Sequence, residues 1–168
     1  LMVIEYNSAI ATWGNFMCHG NHDNDWSMRH NSNGDNRVGF HTYNDNDVVL
    51  RPLVNGNTYI LVGRLKQNGN STNLVEFWLH NLNGTADSVS ATFPTTITTG
   101  NKAMFVGSSD LVNEASNGKI GEILYYNSTL NNTDLSSAVN YLKGKWFASS
   151  GGGTIIPLSP TFSSGTNS

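Results

Sequence analysis

The chain has 168 residues, enough for one domain with a sizeable core. Only 12% of them are charged and the net charge is -3, so there is no basic field to attract nucleic acid or an anionic membrane surface. No run reaches the ~20 apolar residues of a membrane-spanning helix, and Cys18, the only cysteine, can form neither an internal disulfide nor a cysteine-based metal site. Asn, Ser, Thr and Gly carry the polar share instead, a composition common on secreted and virion-surface β proteins.

The chain opens on Leu-Met-Val-Ile-Glu-Tyr, already strand-like, with neither an initiator Met nor a charged signal region, as expected of a processed product or a piece of a longer chain. Leu1–Tyr6 reads as a strand. Thr12–His19 reads as a second, with Trp13, Phe16 and Cys18 as candidate inward groups. A polar loop through Asp23 and Asp25 leads to a short strand at Trp26–His30. The Asn33-Gly34 pair suits a hairpin into Val38–Tyr43, and a second polar loop, Asn44-Asp45-Asn46-Asp47, precedes Val48–Leu53. Tyr59–Lys66 and Asn73–His80 alternate as a hairpin, with Val75, Phe77 and Leu79 on one face and Glu76, Trp78 and His80 on the other. Weaker strands follow at Ser88–Phe93, stopped by Pro94, and at Ala103–Val106.

Lys119–Tyr126 is apolar on both faces apart from Glu122, the pattern of a strand covered on each side. After Leu130 the period changes. Leu135, Ala138, Val139, Leu142 and Trp146 fall on one face of a helix. Asn131 is placed to cap it, with Asp134 in the capping-box position and Lys143 and Lys145 in the last turn, where the helix dipole favours cations. Phe147 is expected to be the last core residue. Residues 148–168, rich in Gly, Ser and Thr, are expected to be either a flexible linker or an arm extended over a neighbouring chain or sheet edge. Short strands, Gly/Asn turns and a single late helix predict an all-β sandwich over residues 1–147.

The closing unit resembles the last segment of concanavalin A-like (laminin G-like) jelly-roll domains. The shared features are Gly118-Lys119-Ile120-Gly121-Glu122-Ile123-Leu124-Tyr125-Tyr126-Asn127, then Leu130, then Tyr141-Leu142 and Lys145-Trp146. The resemblance implies two antiparallel sheets packed face to face in a jelly roll, a secreted or surface-displayed protein and, in many members, a further N-terminal segment before the first strand; with the composition, the expected setting is extracellular, cell-surface or virion-surface. It implies a fold more firmly than a function.

Enzymatic signals are weak. A retaining glycosidase needs two carboxyls about 5–5.5 Å apart, and Glu5, Glu76, Glu114 and Glu122 each lack an acidic neighbour at strand spacing. His19, His22, His30, His41 and His80 show no metalloenzyme spacing, and no Gly-x-Ser-x-Gly elbow occurs. The expectation is a protein without catalytic residues or a required cofactor. Calcium is a candidate ligand of Asp23, Asp25, Asp45 and Asp47, whose carboxylates lie on two loops with amide oxygens between them. The plainer account is that Asn and Asp form good turns.

A carbohydrate site needs an aromatic platform flanked by amides and carboxylates, because a sugar offers both an apolar face and hydroxyls. Asp23, Asp25 and Trp26 on one loop, with His41, Tyr43 and Asp45 beside the other, are the candidates, although Trp and Tyr also fill sandwich cores. Four Asn-x-Ser/Thr triplets, at Asn70, Asn83, Asn127 and Asn131, fall in predicted turns and are candidate glycosylation sites. The leading expectation is a non-enzymatic surface or structural module that joins other protein subunits in an assembly, such as a decoration, fibre or appendage component. The alternative is a lectin-like glycan binder, calcium-assisted or not.

Overall fold

Period-two alternation along the chain is realised as strands nearly where the sequence predicts them. The computed structural model describes residues 1–8, 13–20, 26–30, 37–42, 46–68, 72–82, 86–93, 103–108 and 115–147. In chain order the elements are β1 (Met2–Ser8), β2 (Asn15–His19), β3 (Trp26–His30), β4 (Arg37–Thr42), β5 (Asn46–Pro52), β6 (Thr58–Asn68), β7 (Thr72–Asn81), β8 (Ala86–Phe93), β9 (Met104–Val106), β10 (Asn117–Ile123) and α1 (Asn132–Trp146). They form two five-stranded antiparallel sheets, ordered β10-β1-β6-β7-β8 and β5-β4-β3-β2-β9. The fold is an all-β sandwich with one C-terminal helix on its flank. The stretch 148–168 lies outside the described residues.

Two cores hold the layers together. Between the sheets, Met2, Ile4 and Tyr6 of β1, Tyr59 and Leu61 of β6, and Val75, Phe77 and Leu79 of β7 meet Phe16, Met17, Met28, Val38, Phe40 and Val48 of the second sheet. Behind the first sheet, Leu1, Val3, Ile60 and Val62 meet Leu135, Ala138, Val139 and Leu142 of α1. Each Val, Leu, Ile, Phe or Met among them stabilises the fold by roughly 1.5–3 kcal/mol through the apolar surface it removes from water. The alternation predicted for β7 holds: Val75, Phe77 and Leu79 point into the inter-sheet core, and Glu76, Trp78 and His80 lie on the opposite face.

Two local expectations change. A register shift between Asn15 and Met17 turns both Phe16 and Met17 into the core, so Cys18 lies opposite Ser27 on the other face rather than inward with Phe16. A bulge adds one residue to one strand and thereby reverses the alternation beyond it. The second change is in β10. It ends its sheet, pairing with β1, and Gly118 to Gly121 are exposed, so it is not a strand covered on both sides. It also stops at Ile123, and Tyr125 and Tyr126 leave the strand with 56% and 44% exposure.

The helix forms for the reasons its sequence suggests. The Asn131 carboxamide oxygen accepts from the Asp134 backbone N–H at 2.9 Å, while its Nδ2 donates to Asp134 Oδ2 at 2.7 Å. At the other end Trp146 lies on Gly121, where a Cβ would sit 2.7 Å from the indole. Trp146 Nε1 donates to Glu122 Oε2 at 2.8 Å and the Tyr141 hydroxyl to Oε1 at 2.9 Å, with Lys145 Nζ 3.1 Å from Oε2. Burial raises the Glu122 pKa, but the hydrogen bonds from Trp146, Lys145 and Tyr141 and the Lys145 charge outweigh it, and the carboxyl titrates below its usual range. Trp146 is therefore a half-buried clamp between α1 and β10.

Candidate functional site

Where β10 gives way to α1, residues 124–131 cross one end of the sandwich as a strap and leave a cleft of about 350 Å³ between the sheets. That volume lies within the usual range of small-ligand sites, roughly 300–1,000 Å³. Leu1, Met17, Met28, Phe40 and Leu65 make its apolar depth, and Gln67, Asn127, Ser128 and Thr129 bring amides and hydroxyls to its rim.

The aromatic groups of the cleft are ordered by the sheet. Trp26 opens β3 and is paired with His19 of β2 and Thr42 of β4. Its indole lies nearly parallel to the Phe40 ring (centroids 5.7 Å, 15°), to Tyr125 of the strap (6.3 Å, 14°) and to His19 (6.1 Å, 8°). Offset parallel rings at these separations attract one another and hold a common plane direction. Phe40 is seated so deeply because β6 offers Gly63 opposite it; a Cβ there would come within 2.4 Å of the ring.

The strap is fixed at both ends. Leu124 N donates to Leu1 O, and Leu1 N to Leu124 O, each at 2.9 Å. Thr129 Oγ1 donates to Leu65 O at 2.8 Å, and Arg64 Nη1 donates to Leu130 O at 3.2 Å and to Asn132 Oδ1 at 2.8 Å. The same guanidinium donates from Nε to Glu76 Oε2 at 2.6 Å and stands 5.2 Å from the centroid of Trp78. The strap thus holds Tyr125 to Ser128 between anchored ends.

The structure divides the residues predicted to form a site. Trp26 faces the cleft. His41 belongs to the opposite face of the same sheet, since Ser27, not Trp26, is its partner across β3. There His41 is buried, its Nδ1 2.8 Å from Arg29 Nη2, and its ring meets Trp13 edge-on at 6.0 Å. Trp13, at a φ of 71°, lies with its ring centroid 4.4 Å from the Arg29 guanidinium carbon. Trp26 and His41 therefore do not share one platform, because adjacent strand positions point to opposite faces. Asp23, Asp25, Tyr43 and Asp45 lie outside the described residues, and for Asp47 only the backbone is described, opposite His41. No group of three metal-ligating side chains occurs among the described residues. Of the glycosylation candidates, Asn70 and Asn83 lie outside the described residues, Asn127 is exposed on the strap, and Asn131 uses its amide to cap α1.

Tyr125, Asn127, Ser128, Thr129 and Gln67 line the candidate cleft, a placement that strand and helix periodicity did not reveal. A signal was present: two tyrosines followed by Asn-Ser-Thr directly after a strand pair aromatic faces with amide and hydroxyl groups. The described residues lining the cleft include no Asp or Glu, so they offer stacking and hydrogen bonding rather than a carboxylate pair. No family model, curated protein or solved structure matches this chain.

Proposed function

We propose that this protein is a non-enzymatic recognition module of an extracellular or surface setting that takes the end of a carbohydrate chain into the inter-sheet cleft. The observation that carries this reading is the parallel set of Trp26, Phe40 and Tyr125 rings at the cleft, rimmed by Gln67, Asn127, Ser128 and Thr129. A sugar ring has a face of C–H groups that packs on an aromatic plane and an edge of hydroxyls that needs donors and acceptors. The cleft supplies both within one recess. The resemblance of the closing segment to concanavalin A-like domains supports the same reading. Calcium held by Asp23, Asp25, Asp45 and Asp47 is a separate part of the proposal, and chelation during a glycan titration tests it.

The test is a screen of glycans followed by titration of the best binder into wild type, Trp26→Ala and Tyr125→Ala. Tyr125 is exposed, so its variant is expected to keep the melting temperature while weakening binding about tenfold, the loss of one aromatic contact worth roughly 1–1.5 kcal/mol. Trp26→Ala should abolish binding. Unaltered affinity in Tyr125→Ala, or no glycan binding by the wild type, sinks the reading.

Assembly with other subunits is the second reading, and one observation favours it. β10 ends its sheet with Gly118 to Gly121 exposed, an edge that a strand of another chain can extend. Imaging and light scattering of native material decide it: ordered particles or filaments support assembly, and a monomer at every concentration removes it.

A further inference from the structure

A second recess lies on the other side of the first sheet. Between α1 and the outward row of β7 runs a groove of about 440 Å³, which shares only Arg64 and Leu135 with the lining of the inter-sheet cleft. Trp78 supplies an indole to it. Ser136, Asn140 and Lys143, spaced three to four residues apart on α1, supply a hydroxyl, an amide and an ammonium. His80 lines the same groove at 8% exposure, and its Nδ1 is buried without a hydrogen-bond partner among the described residues.

The charges of this groove are unequal. Glu76 is engaged by Arg64 at 2.6 Å, and both side chains of that pair are largely buried, so it presents no free anion. Burial and, second to it, the Lys143 charge push the His80 pKa down to about 4, so the ring is neutral at physiological pH. Lys143 is left as a cation with no carboxylate partner among the described residues. A groove with an aromatic wall, neutral hydrogen-bonding groups and one unmatched ammonium suits a ligand with a flat apolar face, several hydroxyls and one negative charge.

We propose that the groove between α1 and β7 is a second ligand site, distinct from the inter-sheet cleft, that binds a carboxylate-bearing saccharide with its ring on Trp78, its hydroxyls toward Ser136 and Asn140 and its carboxylate on Lys143. A neutral sugar of the same shape forgoes the Lys143 contact. The site uses a different tryptophan from the cleft, Trp78 of the first sheet rather than Trp26 of the second, and only Arg64 and Leu135 line both recesses.

The test uses a glucuronic-acid-terminated disaccharide and its methyl ester, titrated into the full chain while the indole N–H resonances are followed by NMR. The acid is expected to shift the Trp78 resonance and to bind about fivefold more tightly than the ester, the ratio for an ion pair of up to ~1 kcal/mol. Lys143→Gln should remove that preference and leave the melting temperature unchanged, whereas Tyr125→Ala should leave it intact. Equal binding of acid and ester, no binding of the acid, or a shift of Trp26 in place of Trp78 overturns the proposal. A Trp78 response with no Trp26 response to any glycan would leave this site standing and remove the cleft reading.

Discussion

The two recesses on either side of β6 are built from the same strand but differ in kind. Gly63 and Leu65 face the inter-sheet cleft, where Met17, Met28 and Phe40 make an apolar floor and polar groups stand only at the rim. Val62 faces the helix, in the outer groove where Trp78 and His80 sit beside Ser136, Asn140 and Lys143. Arg64 belongs to both: it anchors the strap on one side and neutralises Glu76 on the other. The difference teaches what strand periodicity does. One residue step along β6 exchanges a recess shaped by ring packing for one shaped by charge and hydrogen bonding.

Three changes separate the recesses. The largest effect is expected from Gly63→Ala. Its Cβ would come 2.4 Å from the Phe40 ring, which must move into the cleft. Overpacking of this kind costs roughly 1–3 kcal/mol, so denaturant titration should show that loss together with failure of the inner cleft to bind. Outer-groove binding, followed on Trp78, should survive. Its loss as well would show that the recesses are one mechanical unit.

The second concerns pH and belongs to the outer groove. His80 is protonated near 6.5 in an unfolded chain but only near 4 when folded, through burial and then Lys143. The folded state therefore binds fewer protons in that interval. The stability contributed by the neutral ring is complete above about pH 6.5 and is lost as pH falls towards 4. The loss is on the order of 1–2 kcal/mol after allowing for solvent screening at the groove mouth. Comparing wild type with His80→Gln across that interval isolates it; parallel curves would show that His80 titrates normally.

The smallest effect is expected from Asn131→Ala, which removes the cap where the strap enters α1. A lost N-cap costs about 1 kcal/mol, and because Asn131 follows Leu130 at the strap's anchored end, Tyr125 should also lose part of its order. Thermal unfolding measures the first effect and the fluorescence of Trp26 the second. An unaltered melting temperature would mean that another group replaces the cap.

Most of the fold is legible along the chain. Val75, Phe77 and Leu79 announce a strand with one buried face, and Leu135, Ala138, Val139 and Leu142 announce a helix with one buried stripe, because burial of apolar surface acts at the period of the local backbone. The errors arose where a single residue alters that period or where an element lies at a margin. The bulge at Asn15–Met17 reversed Cys18, and β10, apolar in sequence, took an edge position. Hydrophobicity states that a residue prefers to be buried, not which neighbour will cover it.

The candidate site was less legible, and Trp26 and His41 show why. Both occur beside polar loops and both were reasonable members of one platform, yet the hydrogen-bond register pairs Trp26 with Thr42 and Ser27 with His41 and so sends them to opposite faces. Tyr125, which the sequence places in a strand rather than in a site, instead completes the ring set around Trp26. By itself the sequence determined the strands, the capped helix and the sandwich class, all of which follow from backbone period and local capping. Only the tertiary structure decided which side chains share a recess, because that depends on register, sheet order and the path of the strap, contacts made between residues more than a hundred positions apart, such as Leu1 with Leu124.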